Sequence, residues 1–446
     1  MSSTNCKFRV AVVGCGISGL SLAAFISKFA DKDPECRIAI DIYEAKPEVS
    51  TIGAGVGIWK RTWQALQDLD GFREDVVAKG FKVPIDGQSQ GPIFRKSNQP
   101  TEGYDFHNHM MPYGPLGLHR PTLLEILQSK LSSDCQIHTS KKLGGYVVLQ
   151  DGSIELTFSD GSTATADILV GADGVHSAAR GAMFKSLGDG YEQYIQPIFS
   201  GRIAYRGVIP KAKFAETFPA HSALDHPEAP LNPVAKYCGK SMHVIAHPIG
   251  PIIGMNFFIS RPEMEGKPYS EPMITEVTKE HVAGLFADWE PDVRSLAENV
   301  ESYAGWAIHV VNPLPLCASG PAVLIGDAAS RAHAMTPHQG MGGGQAIEDA
   351  HMLGCLLAHS SAVKANIPAV LKLYQELRLI PAQDAAEKSR LNGMMYEFNH
   401  PDFLFDEPSR EELTALGEAI GRSFEWLAEG NVAGDWAEAE AQLRML

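Results

Sequence analysis

The first 44 residues alternate apolar runs with glycine-rich and charged turns, and this pattern predicts a β-α-β unit. Residues 7–13 form a mainly apolar run of strand length, and residues 20–29 form an apolar stretch of helical length. Residues 37–43 repeat the strand pattern and end at Glu44. We therefore expect the chain to begin with an α/β fold around a parallel sheet.

A different pattern begins near residue 190, where short apolar stretches are separated by loops rich in proline and glycine. The stretches at residues 201–209, 241–249 and 252–260 have strand length and predict an inserted antiparallel sheet. Residues 84–115 predict loops and short strands that leave the first domain. Beyond residue 361 apolar positions recur every three or four residues, which is typical of helices.

These patterns divide the chain into three parts. We expect a discontinuous α/β domain that comprises residues 1–75, 115–188 and 305–375. An inserted β-sheet domain is expected to comprise residues 76–114 and 189–304, and a C-terminal helical segment residues 376–446.

Composition and charge narrow the classes of function. The chain has 446 residues, a net charge of −15 and no cluster of five or more lysines and arginines, which argues against binding to nucleic acids and anionic membranes. Its seven cysteines lack the spacing of a zinc site, so we expect reduced thiols, no metal and a cytoplasmic location. No apolar run reaches membrane-spanning length, and we expect no signal peptide. A monomer and a homodimer both remain open.

Gly14, Gly16 and Gly19 follow the first strand and open the first helix in a G-x-G-x-x-G pattern. The first glycine makes the turn, the second lets the backbone approach a pyrophosphate, and the third lets helix and strand pack closely. Glu44 ends the second strand, where it can accept hydrogen bonds from a ribose. The glycine motif alone is a weak signal, but with strand, helix and acid in order it predicts an adenine dinucleotide.

Two further strands are followed by an aspartate. An apolar run that begins at residue 168 leads to Asp173-Gly174, and a run at residues 322–325 leads to Gly326-Asp327. These carboxylates are expected at the carboxyl edge of the sheet, where ligands bind, and Asp327 is expected to hold a polyhydroxylated ligand. A glycine run at Gly340 and residues 342–344 then opens a helix whose free N–H groups favour an anion. A glycine-rich loop without a ligand is the alternative.

These elements, in this order, resemble the signature of the class A FAD-dependent aromatic monooxygenases, which have the para-hydroxybenzoate hydroxylase fold. The segments LHRPTL (118–123), YRG (205–207) and WAI (306–308), with the glycine-rich region 326–350, are similar to the salicylate hydroxylase branch. The resemblance extends from residue 7 to about residue 440. It implies an α/β fold with a Rossmann-like FAD-binding domain, an inserted antiparallel β-sheet substrate domain and C-terminal helices.

The resemblance also implies a cofactor site. Glu44 would bind the adenosine ribose, Arg120 would lie along the FAD, and Asp327 would bind the ribityl chain, while Asp173 would serve both FAD and the passage of NAD(P)H. Pro337 and the glycines after it would lie at the isoalloxazine ring, where helix N–H groups stabilise negative charge. The implied cofactor-binding residues are Gly14, Gly16, Ser18, Gly19, Glu44, Ala45, Gly55, Val56, Arg120, Asp173, Gly174, Asp327, Pro337, Gly340, Gly342 and Gly343.

The chain departs from the family pattern at two places. Lys60-Arg61 stands where the family has a Pro-Asn pair, and Ser330-Arg331 stands where the family has a histidine after Gly-Asp-Ala-Ala. The first departure affects the expected geometry of the loop after Gly55. The second adds a cation near the expected cofactor.

The candidate catalytic residues are Arg206, His243, His247, Tyr237 and Pro337. Arg206 lies mid-strand with Ala204 and Val208 on its own face, and a buried substrate anion needs such a cation; an arginine facing water or in a structural salt bridge is the alternative. His243 and His247 share a strand face and either could accept a phenolic proton, although core or surface histidines would give the same pattern. Tyr237 could bind a substrate oxygen or make a plain cross-strand contact.

The leading hypothesis is an FAD-dependent, NADH- or NADPH-consuming monooxygenase of a small phenolic acid such as a hydroxybenzoate or salicylate. The resemblance implies that dioxygen adds at flavin C4a to give a hydroperoxide, whose outer oxygen the ring attacks. A carboxylate ortho or para to the hydroxyl would leave as carbon dioxide after ipso attack. Ring hydroxylation without decarboxylation, dearomatisation and attack on a nitrogen heterocycle are alternatives. A non-catalytic dinucleotide-binding flavoprotein is the alternative from another class.

Overall fold

The computed structural model describes residues 6–30, 37–49, 55–224, 235–249, 251–329 and 338–446. The strands are β1 (Phe8–Val13), β2 (Ile38–Tyr43), β3 (Gly55–Ile58), β4 (Ser89–Lys96), β5 (Tyr104–Met111), β6 (Leu116–His119), β7 (Cys135–His138), β8 (Leu143–Val148), β9 (Ile154–Phe158), β10 (Thr163–Ala166), β11 (Ile168–Gly171), β12 (Ile198–Pro210), β13 (Ala235–Gly239), β14 (Met242–Ile249), β15 (Ile252–Ser260), β16 (Ile274–Thr278), β17 (Ser302–Val310), β18 (Ala318–Ser319), β19 (Ala322–Leu324), β20 (Asn399–His400) and β21 (Phe403–Leu404). The helices are α1 (Ile17–Phe29), α2 (Lys60–Gln67), α3 (Phe72–Ala78), α4 (Arg120–Ser129), α5 (Ala178–Ser186), α6 (Lys211–Thr217), α7 (Lys279–Leu285), α8 (Pro291–Asn299), α9 (Gly342–Ala358), α10 (Ile367–Tyr396), α11 (Arg410–Arg422) and α12 (Val432–Leu443).

The first sheet has six strands in the order β18-β19-β11-β1-β2-β7. All neighbouring strands run parallel except β18 and β19. The predicted β-α-β unit is confirmed, although its helix begins at Ile17 rather than at residue 20. Because parallel strands end at the same edge of a sheet, the turns after β1, β11 and β19 lie side by side.

One hydrophobic cluster joins this sheet to the helices that cover it. It includes Val10 and Val12 of β1, Leu22 of α1, Leu353 of α9 and Leu371 of α10. Burial on both faces explains why the strands of this sheet have nearly continuous apolar sequences. The α/β fold predicted from those sequences is therefore confirmed.

The second sheet has eight strands in the order β16-β17-β12-β15-β14-β13-β4-β5. Neighbouring strands are antiparallel except β13 and β4. The strands β4 and β5 have eight residues each and are longer than the short strands expected in this part of the chain. Their sequences include histidine, asparagine and a Gly-Pro pair, so the alternation of apolar and polar positions is weak.

The two faces of the eight-stranded sheet have different surroundings. One face packs against α6, α7 and α8 through apolar side chains that include Val244, Phe257 and Tyr303. The other face carries polar side chains and meets the end of α10, where Tyr396 packs on Phe94.

The C-terminal part is mainly helical, as expected, but β20 and β21 form a short hairpin between α10 and α11 that the sequence pattern did not predict. Among the described residues, no helix combines the length and the apolar character needed to cross a membrane.

Candidate active site

The glycine turn after β1 has the geometry that a dinucleotide phosphate requires. Gly14 has a φ of 107°, and a Cβ there would meet the carbonyl oxygen of Ala172. A Cβ at Gly19 would meet the carbonyl oxygen of Gly14, so the third glycine permits the close contact between helix and strand. A Cβ at Gly16 would meet nothing within 4 Å, and no side chain caps the amino end of α1. The turn therefore leaves open space beside free helix N–H groups.

Glu44 lies at the same edge, after β2. Its carboxylate accepts hydrogen bonds from the backbone N–H of Cys15 at 3.0 Å and of Lys46 at 2.9 Å. Arg120, the first residue of α4, lies near both Glu44 and Asp327. Burial lowers the pKa of Arg120, and these two carboxylates oppose that shift. The fold thus assembles three of the predicted cofactor residues from distant parts of the sequence; Ala45 is exposed beside them.

The carboxylate of Asp173 binds its own chain. It accepts hydrogen bonds from the N–H groups of Ala178 at 2.7 Å and Ala179 at 3.1 Å, and from the hydroxyl of Ser177. Burial raises the pKa of Asp173 in spite of these bonds. Asp173 therefore holds the turn that contains Gly174.

Arg180 is a fully buried residue that the sequence did not single out. Its guanidinium donates to the carbonyl oxygens of Val175 at 2.6 Å and Ala328 at 3.3 Å, and so ties the turn after β11 to the turn after β19. Burial lowers its pKa to about 10, against the effects of Asp173 and Asp327. Its Nε also donates to the carbonyl oxygen of Tyr194 at 3.0 Å. Nothing in the local sequence marks Arg180, because its partners are backbone atoms of three separate segments.

Asp327 lies in a tight turn that is braced from two sides. A Cβ at Gly326 would meet the hydroxyl of Ser18 on α1, which explains the glycine there, and Gly326 has a φ of 59°. The N–H of Gly326 donates to the carboxylate of Asp349 at 3.2 Å. Asp349 in turn pairs with buried Arg378 at 2.8 Å. The turn is thereby fixed to both α9 and α10.

The glycine run at the start of α9 packs closely on β3. A Cβ at Gly57 would lie 2.7 Å from the carbonyl oxygen of Gly340, and a Cβ at Gly343 would lie 2.6 Å from Val56. Gly340 has a φ of 67°, and α9 begins at Gly342 without a side-chain cap. The run therefore brings a helix terminus that has no side-chain cap among the described residues against the segment that starts at Gly55.

The two departures from the family pattern have different outcomes. Lys60-Arg61 begins α2, and Arg61 pairs with Glu348 of α9 at 3.0 Å and with Asp435 of α12 at 2.5 Å. The altered segment is thus held by ion pairs to two helices. Ser330-Arg331 lies outside the described residues, as does Pro337.

These features fit FAD. The space beside Gly16 is where a pyrophosphate would lie, and Glu44 and Asp327 offer carboxylates for two groups of hydroxyls. The start of α9, which has no side-chain cap among the described residues, offers N–H groups for a flavin ring. The carboxyl edge of the parallel sheet is also where open α/β sheets bind ligands.

Comparison with known proteins agrees with this geometry. Residues 302–389 match the FAD binding domain family. The chain is 30% identical to a salicylate hydroxylase from Pseudomonas putida over 447 residues, which cover 99% of this chain and 97% of that protein. The chain belongs to the class A FAD-dependent aromatic monooxygenases. FAD is its cofactor, with NAD(P)H as reductant and dioxygen as the source of oxygen.

Two further similarities support this assignment. A 6-methylsalicylate 1-monooxygenase from Aspergillus terreus is 28% identical over 420 residues, which cover 88% of this monooxygenase and 84% of that protein. The solved structure of a salicylate hydroxylase substrate complex superposes with a TM-score of 0.79 at 27% identity and covers 98% of each chain.

The polar face of the eight-stranded sheet contains Arg206 of β12. Its guanidinium lies over the ring of Trp306, 4.8 Å from the ring centroid. Within the described part of the chain, the Nε atom is buried without a hydrogen-bond partner. Burial lowers the pKa of Arg206, and no described charged group opposes the shift. This is the setting of a cation that needs an anionic ligand.

Asn256 and His247 are polar residues that share this face with Arg206. Asn256 of β15 pairs directly with Arg206 in the sheet register, so both side chains point to the same side. His247 of β14 pairs with Gly254 of β15 in the sheet register. Burial lowers the pKa of His247, and its Nδ1 atom has no hydrogen-bond partner among the described residues. Asn256 is a candidate that sequence analysis missed, because an isolated asparagine in a strand carries no motif.

His243 lies on the same face but is fully buried. Its Nδ1 lies 3.1 Å from the carboxylate of Glu397, which also lies 3.5 Å from Arg202. Burial raises the pKa of Glu397, but Arg202 and His243 lower it by more, so this pKa lies below its ordinary value. Burial lowers the pKa of His243. The neutral imidazole therefore donates to an ionised carboxylate, and the arrangement joins the sheet to the end of α10.

The interpretation of Tyr237 as a substrate ligand is wrong. Tyr237 lies on the opposite face of the sheet, in the cluster against α8, and its hydroxyl hydrogen-bonds the hydroxyl of Ser222 at 2.7 Å. Neighbouring residues of a strand point to opposite faces of the sheet, so Lys236 of β13 lies on the face of Arg206 and Tyr237 does not.

Proposed function

We propose that this monooxygenase hydroxylates a phenolic aromatic acid of the hydroxybenzoate or salicylate type. Arg206 carries the proposal, because its guanidinium packs on Trp306 and lacks an acidic partner in the part of the chain that the structure describes. A bound aromatic carboxylate would supply that partner and offset the cost of burying a charge. The similarity to a salicylate hydroxylase and a 6-methylsalicylate 1-monooxygenase supports the same substrate class.

The neighbours of Arg206 suit the remaining groups of such a substrate. The side-chain amide of Asn256 can donate a hydrogen bond to a substrate oxygen. Because burial favours the neutral form of His247, its unpartnered Nδ1 can accept a hydrogen bond from the phenolic hydroxyl, which draws the proton away from the ring oxygen. Removing that proton makes the ring more electron-rich, which hydroxylation requires.

Bound FAD supplies the transfer of two electrons from NAD(P)H and the activation of dioxygen. In our proposal Gly14, Gly16 and Gly19 hold its pyrophosphate, and Glu44, Arg120 and Asp327 hold its ribose and ribityl groups. The start of α9 faces the flavin ring. Residues 1–75, 115–188 and 305–375 form the FAD-binding domain, residues 76–114 and 189–304 the substrate domain, and residues 376–446 the C-terminal segment. We also propose a cytoplasmic location.

The position of the substrate carboxylate decides the product. If oxygen adds at the carbon that carries the carboxylate, that group leaves as carbon dioxide and the product is a catechol or hydroquinone. If oxygen adds at a ring C–H, the carboxylate is retained and a proton leaves instead.

The test is to measure NADH and NADPH oxidation with salicylate, 4-hydroxybenzoate, 6-hydroxynicotinate and phenol, and to identify each product by mass spectrometry. We expect a hydroxybenzoate to accelerate NAD(P)H oxidation and to be converted to a hydroxylated product. Formation of hydrogen peroxide alone with every hydroxybenzoate would contradict the proposed substrate class. A product from 6-hydroxynicotinate alone would instead support a hydroxylase of nitrogen heterocycles.

A further inference from the structure

Lys236 of β13 is a lysine that lies almost entirely inside the protein, with 4% of its surface exposed. Its Nζ donates to the hydroxyl of Tyr396 at 3.0 Å and to the carbonyl oxygen of His338 at 3.3 Å. It also lies over the rings of Tyr396 at 4.2 Å and Phe94 at 5.2 Å. No carboxylate of the described residues forms an ion pair with it. Every identified partner of this amine is therefore neutral.

Lys236 shares a row of the sheet with the proposed substrate site. The register aligns Arg206 with Asn256, Asn256 with Ile245, and Ile245 with Lys236. At a strand spacing of 4.7–4.9 Å, the three steps place the backbones of Arg206 and Lys236 about 14 Å apart. Lys236 is thus on the same face as Arg206, and its Nζ lies against the ring of Tyr396 at the end of α10.

The enclosure of this amine has an electrostatic consequence. A buried ammonium without a counter-ion is costly, so burial lowers the pKa of Lys236 to about 7. The neutral amine and the ammonium are then both populated near neutral pH. A small change of charge nearby is enough to shift the balance between them.

The titratable groups that face Lys236 do not compete with it in this pH range. Burial lowers the pKa of the surrounding histidines, His109 to about 4 and His338 well below its ordinary value, and it also lowers the pKa of His243. Burial raises the pKa of Tyr396 and of Cys238. Among the described groups around Lys236, these therefore stay neutral near pH 7 while Lys236 titrates.

The contact with His338 connects Lys236 to the proposed flavin site. His338 comes two residues before Gly340, whose carbonyl oxygen packs on Gly57, and four residues before the start of α9. We propose that Lys236 takes up a proton when the flavin is reduced and so balances negative charge beside residues 338–343. This inference rests on the proposed position of FAD.

The charge and proton balance of this step is simple. NAD(P)H delivers two electrons and one proton to the flavin as a hydride, and the flavin thereby gains one negative charge. That charge raises the proton affinity of the Lys236 amine, which takes a proton from solvent and becomes an ammonium. Lys236 contacts neither substrate nor flavin in this scheme and acts as a charge-compensating residue.

The experiment uses FAD-loaded protein in which the lysines carry carbon-13 at the ε position. The Lys236 signal is assigned by its absence in Lys236→Met, or in Lys236→Arg if the methionine variant does not fold, and is titrated by NMR before and after anaerobic reduction with dithionite. We expect a midpoint near pH 7 in the oxidised protein and an increase of at least about tenfold in proton affinity after reduction.

Lys240→Met is the matched control. Lys240 follows β13, and its Nζ also donates to backbone carbonyl oxygens of the C-terminal segment, Phe398 at 3.3 Å and Phe405 at 2.9 Å, but it is partly exposed. This variant should leave the Lys236 titration unchanged in both redox states. The flavin midpoint potential gives a second readout. Between the pH midpoints of Lys236 in the oxidised and the reduced protein, this potential should depend more steeply on pH in the wild type than in Lys236→Met. The difference should correspond to one additional proton per two electrons.

Equal Lys236 midpoints in oxidised and reduced protein, with FAD bound and hydroxylation intact, would overturn this inference and leave the proposed function standing. A protein that does not retain FAD would overturn the proposed flavin site and, with it, the role of Lys236.

Discussion

Replacing Arg206 with methionine should separate substrate binding from protein stability. Methionine keeps an apolar side chain against Trp306 and removes the guanidinium, which lies 4.8 Å from the Trp306 ring centroid. Because no described carboxylate pairs with this guanidinium, its removal leaves no buried acid without a counter-ion. An arginine in a structural ion pair would behave in the opposite way.

The expected magnitudes follow from these contacts. Loss of the cation–π contact costs about 0.5–2 kcal/mol, and removal of an unpaired buried polar group stabilises by about 1–3 kcal/mol. We therefore expect the free energy of unfolding to fall by no more than about 1 kcal/mol, or to rise. Binding of an anionic substrate should weaken by about 2–5 kcal/mol, because a desolvated carboxylate loses its charged partner. This corresponds to roughly 30-fold to 5,000-fold weaker affinity.

The assay is a titration of salicylate, and of neutral phenol as a control ligand, into oxidised FAD-loaded protein while the flavin absorbance is followed. Denaturant unfolding of the same samples gives the stability change. Arg202→Met is the matched variant, because Arg202 lies on the same face of the same strand but pairs with buried Glu397 at 3.5 Å. It should lose about 3–5 kcal/mol of stability.

Two results would refute the reasoning about Arg206. One is an unchanged affinity for salicylate in Arg206→Met. The other is a loss of stability in Arg206→Met as large as that in Arg202→Met, which would mean that Arg206 is a structural cation.

Other positions give independent tests. Gly16→Ala should fold normally, because its Cβ meets no protein atom within 4 Å, but it should bind FAD at least about tenfold more weakly. Gly19→Ala should fail to fold normally, because its Cβ would meet the carbonyl oxygen of Gly14. The ratio of flavin to protein absorbance, together with a melting curve, distinguishes the two outcomes. Arg378→Met should destabilise FAD-saturated protein by about 3–5 kcal/mol in a denaturant titration, because Asp349, 2.8 Å away, loses its buried partner. Burial lowers the pKa of His109 from 6.5 to about 4, so the unfolded chain binds a proton in this range and the folded chain does not. Stability should therefore fall as the pH is lowered from 6.5 to 4, and His109→Gln should show a shallower fall in melting temperature; an identical pH profile would contradict this assignment.

Much of the cofactor half could be predicted from local sequence. Gly14, Gly16 and Gly19 are dictated by backbone conformation and close contacts within one β-α-β unit, and that unit is contiguous in the chain. The same holds for Gly326-Asp327, which directly follows a buried strand. The resemblance to a known family added the functional interpretation of these elements, and the comparisons confirmed FAD.

The substrate half could be predicted only in part. Period-two alternation correctly indicated that His243 and His247 share a face, but it did not show that Glu397, more than 150 residues later, hydrogen-bonds one of them. The sequence left two roles open for Tyr237, because an isolated strand does not reveal which of its two faces meets the apolar helices. Asn256 and Lys236 were not predicted, because neither residue belongs to a sequence motif.

Sequence by itself determined the first β-α-β unit, the glycine turns and an adenine dinucleotide site, because these depend on periodicity and on conformations that few residues adopt, whereas FAD itself followed from the family resemblance. Only the tertiary structure decided which polar side chains have partners. That property depends on chains that meet from distant positions, as Arg202, Glu397 and His243 do. The same packing leaves Arg206 without an acidic partner among the described residues and surrounds Lys236 with neutral groups. The free energy of a buried charge depends on those neighbours, and no local pattern in the sequence specifies them.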